Sequence, residues 1–347
     1  MDMDGQIAVS IIVPLYNRKK TIGRCLDSLM RQTLKNIEIV VVDDGSTDGG
    51  AEVVKECQKS DPRIRLLVQE NRGLGAARNA GIRESCGEYL GFVDSDDYVE
   101  KHMYETMLEA ARAENAEVAV CQEKNICFLP DGKEKFLGET EFPCGERTAY
   151  SSGQILDWFL NYTYLSLNSV CFKLVGRSVF TERNIWFPEN YRYAEDLPTS
   201  AGIFSVVQKV VLVPESLYCY IREMGTLSTN YTVKKAVDVY RDMLDALRYL
   251  KKAGYTGNVD NFVLGMKFSS MRQFYGSKSV RERKEREGRI LLTRWKKARK
   301  RVKPVFVGQE VPLFHKIKVL VAYLNQELPV CRIFQLFDRI SFFKYMV

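Results

Sequence analysis

Ala8-Val9-Ser10-Ile11-Ile12-Val13-Pro14-Leu15-Tyr16-Asn17 and, one helix length later, Glu38-Ile39-Val40-Val41-Val42-Asp43-Asp44-Gly45-Ser46-Thr47-Asp48 decide the fold. Each is a short, mainly β-branched run that does not alternate with polar residues, and each stops at turn formers. A strand that shows water neither face belongs to a sheet covered on both sides. Between the two runs, Thr21–Gln32 sets Ile22, Cys25, Leu26 and Leu29 at helical spacing. The rhythm continues. Thr47 is placed to cap a helix through Gln58. Ile64–Val68 reads as a third strand, Leu74–Ser85 as a helix, Tyr89–Val93 as a fourth strand, Lys101–Glu114 as a helix and Val118–Cys121 as a fifth strand. Strand after strand, each followed by a helix, predicts an α/β fold with a mostly parallel sheet and helices on both faces. Ligands of such sheets lie beyond the carboxyl ends of the strands. The loops after Val13, Val42, Val68 and Val93 are therefore the ones to read for chemistry.

The pattern then loosens. Asn125–Pro143 is charged and turn-rich, as a hairpin would be. Helices are expected at Gly153–Tyr164, Gly176–Arg183 and Asp196–Val207, with a short strand near Ser169–Leu174 and strands at Val210–Val213 and Leu217–Ile221. From Thr232 onward the chain reads as helical, with Val233–Lys252 and Asn258–Tyr275 first, then a basic stretch and two apolar-basic helices beyond Pro304 and Pro312. A boundary falls near Tyr231, which separates 1–231 from a helical, basic region, 232–347.

Composition narrows the classes. Across 347 residues, 46% hydrophobic and 27% charged residues are globular values. No apolar run reaches the roughly 18 residues of a membrane-spanning helix. Met1–Gln6 is short and acidic, unlike a signal peptide. Nine cysteines lie scattered without a close pair, which reads as reduced thiols in a cytosolic protein. His102 and His315 are the only histidines, too few for a multi-His zinc site and poor material for a His-based triad. Between Ser277 and Lys303, thirteen Lys and Arg face three Glu. That local balance of +10 leaves −3 for the rest of a chain whose net charge is +7. Basicity thus belongs to one segment, and no aromatic-basic platform for nucleic acid is present on the sheet.

The loops carry two messages. No glycine-rich turn follows the first strand, and Gly73-Leu74-Gly75-Ala76-Ala77-Arg78 only imitates the dinucleotide fingerprint, with Arg where Gly is wanted. The second and fourth strands end in Asp43-Asp44-Gly45-Ser46-Thr47-Asp48 and Asp94-Ser95-Asp96-Asp97, two acidic clusters facing one crevice. So many carboxylates repel unless positive charge sits among them. A hard divalent cation that shares phosphate oxygens supplies it. For Asp48 a turn or cap role is preferred. For Asp94 and Asp96 a metal-nucleotide role is preferred, because an Asp-x-Asp at a buried strand tip exceeds what a cap requires.

The four motifs together, Val9 to Asn17, Val42 to Asp48, Asn71-Arg72-Gly73 through Ala77-Arg78-Asn79, and Asp94 to Asp97, resemble a family 2 glycosyltransferase of the GT-A fold, across roughly the first 230 residues. The resemblance implies a nucleotide-binding half at about 1–122 and an acceptor half at about 123–231. It places Pro14, Tyr16 and Asn17 against the base of a nucleotide-sugar donor, most commonly a UDP-sugar. Asp44 reads a base N–H, and Arg78 falls in the stretch near the base. Asp94 and Ser95 fall near the ribose, and Asp96 ligates Mn²⁺ or Mg²⁺. Ala194-Glu195-Asp196 resembles the family's Glu-Asp signature, with Asp196 as general base; Glu195 is an acceptor contact or a salt-bridge partner. Tyr218-Cys219-Tyr220-Ile221-Arg222, followed by Gly225-Thr226-Leu227-Ser228, resembles the closing segment in which an Arg meets the diphosphate; Arg222 reads equally as that contact or as a strand-end surface charge. Cys171-Phe172-Lys173 departs from a common Trp-x-Lys and leaves the acceptor open.

Chemistry and resemblance point the same way. Transfer with inversion needs one carboxylate to take the acceptor's proton and a metal to carry the leaving diphosphate's charge. Asp196 also has a helix-cap reading ahead of Leu197-Pro198. Trp158, Tyr162 and Tyr164 read as core, with a sugar-stacking wall as the other use. The expected setting is bacterial surface-glycan assembly, with a glycan or lipid-linked acceptor. The expected location is cytoplasmic, peripheral on the inner face of the cell membrane, with 279–325 carrying Trp295 and its basic neighbours onto an anionic surface. Two rivals are a silent scaffold of the same fold and a nucleotidyltransferase. The intact acidic residues oppose the first, and the missing basic, glycine-rich activation loop opposes the second.

Overall fold

The computed structural model describes residues 6–129, 131–189, 195–222, 231–277 and 285–299, together with 316, 317 and 320. The first half is laid down as β1 (Val9–Leu15), α1 (Lys19–Met30), β2 (Ile37–Asp43), α2 (Gly50–Ser60), β3 (Ile64–Val68), α3 (Leu74–Glu84) and β4 (Tyr89–Phe92). Every residue of β1 and β2 is buried, which is why neither strand alternates in sequence. The two run parallel, with Pro14 opposite Val42 and Leu15 opposite Asp43, so the loops that follow them open side by side.

The second half comprises β5 (Tyr98–Val99), α4 (Met103–Ala113), β6 (Val118–Phe128), β7 (Glu134–Glu139), β8 (Thr148–Ser151), α5 (Ser152–Leu160), β9 (Lys173–Gly176), α6 (Arg177–Thr181), α7 (Asp196–Val206) and β10 (Lys209–Ile221). The helices α8 (Val233–Lys252), α9 (Asp260–Gly276) and α10 (Arg286–Arg299) follow. One sheet collects all the strands in the order β3-β2-β1-β4-β9-β6-β10-β5, with β7 added to β6 and β8 to β10. β1, β2, β3 and β4 pair parallel, as do β6 and β10. β9 runs antiparallel between β4 and β6, so the fifth strand of the sequence reading does not pair with the fourth.

Local chemistry explains the shifts from the expected boundaries. Thr47 does not cap α2; the chain passes through a left-handed Gly49 and the helix begins at Gly50. The short strand expected near Ser169–Leu174 forms later, at Lys173–Gly176, after a 3₁₀ turn at Leu165–Leu167. The two strands expected either side of Pro214 are one, β10, which absorbs the proline in a register shift between Val213 and Ser216. Residues of α8, α9 and α10, among them Val239, Met243, Phe262, Leu291 and Trp295, join the same apolar core as the sheet.

Candidate active site

Four loops converge at the carboxyl ends of β1, β2, β3 and β4. Asn17 sits in the left-handed region, at φ 52°, which asparagine tolerates better than most residues. Its Oδ1 accepts from the backbone N of Thr47 at 2.9 Å and its own N donates to Ser46 Oγ at 3.0 Å, so the first loop braces the second. Pro14 is buried in β1, while the Tyr16 ring stands half exposed at the mouth. Asp44 is buried and reaches across to the β3–α3 loop. Its Oδ1 accepts from Gln69 Nε2 at 2.7 Å and Arg72 N at 2.9 Å, and its Oδ2 from Gly73 N at 2.8 Å. Gly45 makes that reach possible. It adopts φ +77°, and a Cβ there would lie 3.0 Å from Asn71 N. Asp48 takes the bland role preferred for it, accepting from Lys19 N at 2.8 Å and Gly50 N at 2.9 Å to tie down the starts of α1 and α2.

The β4 loop divides its acids between structure and solvent. Asp97 is buried and accepts from the Tyr218 hydroxyl at 2.7 Å and Ile221 N at 2.8 Å, which clamps the loop to β10. Burial, then the charges of Asp96 and Asp94, push its carboxyl well above the usual carboxylate range. Ser95 is also buried. The side chains of Asp94 and Asp96 remain 31% and 30% exposed to the crevice. Arg18 Nε lies 3.2 Å from Asp96 Oδ2, and Arg24 holds the Asp96 carbonyl at 2.6 Å.

Arg78 is the hub of the site. Carried by α3 and 1% exposed, its guanidinium donates to Asp94 Oδ1 at 2.8 Å, to Glu195 Oε1 at 2.7 Å and to the Asp196 carboxylate. Three carboxylates around one guanidinium leave an excess of negative charge. Burial pushes the Glu195 carboxyl up; Arg78 opposes that rise and Asp196 adds to it. Asp196 occupies the first turn of α7, and its side chain is 23% exposed. Its other oxygen, Oδ2, accepts from Ser169 Oγ at 3.1 Å. The cap reading is overturned: Glu195 holds the N-cap position, with no side-chain cap bond, and the Asp196 carboxylate turns to Arg78 and Ser169.

The geometry now has relatives. The model of the family described as "Glycosyl transferase family 2" matches residues 10–181. The glycosyltransferase GlyG of Streptococcus pneumoniae is 34% identical over 236 residues, 67% of this chain and 76% of that protein. The chain belongs to glycosyltransferase family 2. The glycosyltransferase EpsJ of Bacillus subtilis is 35% identical over 236 residues, 66% of this chain and 65% of its own length. YibD of Escherichia coli is 40% identical over 259 residues, 72% of each chain. Among solved structures, S. aureus TarS 1–349 in complex with UDP-GlcNAc superposes with a TM-score of 0.66 at 21% identity, covering 91% of this chain and 89% of that one. The mannosyltransferase PcManGT of Pyrobaculum calidifontis, solved with GDP-Man and Mn²⁺, gives 0.51 at 16% identity, covering 92% and 86%. At those identities the superpositions speak for the fold, and the sheet with helices on both faces is the GT-A arrangement.

For a family 2 glycosyltransferase the acidic pair at the β4 loop is the place to test for a metal. Among the described residues no group of three or more His, Cys, Asp or Glu is gathered as an all-protein cage. One or two partly exposed carboxylates, with the remaining ligands left to phosphate and water, is what Mg²⁺ or Mn²⁺ takes in nucleotide sites. Asp96 and Asp94 therefore fit such an ion, with Arg18 on Asp96 as the cation now beside it.

Several placements were beyond the sequence reading. The stretch of Arg78 was expected near the base, and the carboxylates its guanidinium reaches were not foreseen. Lys173 is fully buried, donating from Nζ to Leu167 O at 3.1 Å and to Ser169 O, so it props the segment that holds Asp196. Burial lowers it to about 7. Arg222 is exposed, with Nε donating to Asn125 Oδ1 at 2.8 Å and the guanidinium 4.6 Å from the Tyr220 ring. Trp158 is core, edge-on to Tyr150 and Tyr164, and Tyr162 stacks on Phe262, so no stacking wall forms there. His102 is an exposed residue ahead of α4. Ala194 and Gly225–Ser228 lie outside the described residues.

Proposed function

We propose that the chain is an inverting, metal-dependent transferase that moves one sugar from a UDP-sugar to a hydroxyl of a glycan or lipid-linked acceptor. The observation that carries this reading is the Arg78 bridge, which holds Asp94 of the β4 loop and Asp196 of α7 on one guanidinium. Donor-side and acceptor-side carboxylates are thereby fixed relative to each other before substrate arrives, which is the preorganisation catalysis rewards. Tyr16, Pro14 and Asn17 flank the base. Asp44 Oδ2, which accepts one bond in the structure, has a lone pair left for a base N–H. Asp94 and Ser95 meet the ribose.

Asp196 takes the proton of the acceptor hydroxyl as its oxygen attacks the anomeric carbon. The new C–O bond forms on the face opposite the departing diphosphate, and the bond to that diphosphate breaks. Arg78 and Ser169 hold the Asp196 carboxylate in place for the transfer. Glu195 orients the acceptor. Arg222 meets the diphosphate. Asp96 would hold Mn²⁺ or Mg²⁺, whose charge would offset that of the leaving diphosphate. Exposed Arg286, Arg289 and Arg294 of α10 lie in the 279–325 segment and keep the enzyme at an anionic inner membrane face by charge.

The test separates donor from base. A sugar-nucleotide panel, screened by thermal shift with and without Mn²⁺, identifies the donor. Calorimetry and turnover are then measured on Asp196→Asn. Unchanged donor affinity with turnover down about 10²–10⁴-fold is expected. Turnover within about threefold of wild type sinks the assignment.

A further inference from the structure

Asp242 lies in the middle of α8 with no exposed surface, and neither carboxyl oxygen has a hydrogen-bond partner. The helix that carries it is pressed onto α7. The Tyr249 hydroxyl, two turns further along α8, donates to Trp186 O at 3.1 Å, and a Cβ added at Gly202 of α7 would meet the Tyr249 ring at 3.1 Å. Neither carboxyl oxygen of Asp242 offers surface to a water molecule, so an ionised carboxylate there would lack both solvent and donors.

Its electrical surroundings are acidic as well. Glu195, Asp238, Asp245 and Asp196 act on it in that order, all against ionisation, and burial adds the largest push upward. Asp238 and Asp245 are paired to Arg241 and Arg248 on their own helix. α9 contributes buried Lys267, with Asp260 and Arg272 less buried; α10 contributes Arg294 over the Tyr240 ring at 5.6 Å. None of these cations comes within hydrogen-bond distance of Asp242. An ionised Asp242 would add a further negative charge beside Glu195 and Asp196, which already share Arg78 with Asp94.

We propose that Asp242 is a positioning residue of the active site. Contributed by the helical region, it is a neutral carboxylic acid that lets α8 close on the acidic start of α7 without drawing charge from Arg78, Glu195 and Asp196. Losing that proton loosens the α7–α8 contact and with it the seat of Asp196. The catalytic half of this inference rests on Asp196 being the base; the protonation half does not.

The sign of the pH effect is fixed by linkage. A carboxyl that holds its proton in the native state and releases it when unfolded lowers stability as pH rises above about 4, up to its native titration point. Asp242→Asn keeps the shape and removes that loss. Melting of the full chain and of the variant is followed across pH. The variant should match wild type at acid pH and melt higher at neutral pH by about 2–4 °C, with the gap widening as pH rises. Turnover near neutrality should stay within about threefold, and the alkaline fall in turnover should move to higher pH. A variant that melts below wild type by the same margin at every pH, or an unmoved alkaline limb, overturns the proposal. Should the variant not fold, the infrared carbonyl band of protonated carboxyls is read above neutral pH in an Asp97→Asn background, which removes the other buried acid held high, and its absence there overturns the proposal. If the melting result holds while Asp196→Asn stays active, the base assignment has failed and the neutral acid stands.

Discussion

Arg78 shows how one side chain comes to govern a site. It is separated from Glu195 and Asp196 by more than a hundred residues of sequence, and all of its charge is spent on carboxylates. Arg78→Met leaves those carboxylates buried or half-buried without compensation. Breaking a buried ion pair from one side costs about 3–5 kcal/mol, so urea unfolding should shift by that amount and turnover should be lost. A variant of native stability would mean the carboxylates find another partner. Asp96→Asn, by contrast, alters a partly exposed group. It should fold normally and lose the Mn²⁺-dependent part of donor affinity by calorimetry; unchanged affinity removes Asp96 from the metal site. The strand-end positions of Asp44, Asp94 and Asp96 were legible in the sequence, because an address of that kind survives without coordinates. The Arg78 network and the Asp97 clamp were not, because each depends on partners brought in from α7 or β10, and the orphan Asp242 was not, because its burial depends on the packing of α8.

Elements set the tolerances within which those residues work. α3 lies so close to β1 that a Cβ at Gly81 would meet Ile12 Cγ2 at 2.5 Å. Ala is the better helix former by about 1 kcal/mol, yet overpacking a rigid contact costs about 1–3 kcal/mol. Gly81→Ala should therefore destabilise on balance, and by pushing α3 outward it should displace Arg78, one turn away, and lower turnover as well. A denaturant midpoint at or above wild type would show that Ile12 yields. Strand pairing also has its own pH signature. Glu38 of β2 accepts from Ser10 Oγ at 2.5 Å and Cys86 N at 2.7 Å, and pairs with Arg65 at 2.7 Å. Burial opposes its ionisation, but these bonds prevail and hold its carboxyl below the ordinary value. Its contribution is thus present above about pH 4 and lost as pH falls through the lowered value. Glu38→Gln should cost about 1–3 kcal/mol at neutral pH, with the difference shrinking in acid; the Asp242→Asn gap also closes in acid but has the opposite sign. A constant difference across pH would remove the charge from the account. β1, β2 and β4 were legible because buried parallel strands read as unbroken apolar runs, whereas β3, at the sheet edge and only part-buried, was read from its place in the strand–helix rhythm. The antiparallel insertion of β9 was not, since four residues carry no period.

At the scale of the whole molecule the question is what the basic end of the chain does. Composition alone made α10 look like a helix lying on a membrane, with Trp295 among lysines and arginines. Packing assigns the tryptophan elsewhere. Trp295 is 2% exposed, its Nε1 donates to Ser270 Oγ at 3.0 Å, and its ring meets Tyr240 edge-on at 4.8 Å. Leu291 is buried with it, and Ile290, at 40% exposure, is the one exposed large apolar side chain among the described residues of α10. Among the described residues no helix is long and apolar enough to cross a membrane. A surface of arginines with its apolar residues turned inward attracts anionic lipid by charge, at about 1 kcal/mol per basic residue near the surface, and inserts little. Co-sedimentation with phosphatidylserine vesicles should therefore hold at low salt and fall steeply as salt shortens the screening length to about 8 Å near physiological strength. Tryptophan emission should stay unquenched by lipids brominated in the acyl chain. Strong quenching would mean that α10 leaves its seat on α8 and α9 and inserts after all. Trp295→Ala then separates the two behaviours: as a core residue it should cost about 3–5 kcal/mol of stability while vesicle binding at low salt persists, whereas an inserting tryptophan would lose the binding and spare the fold.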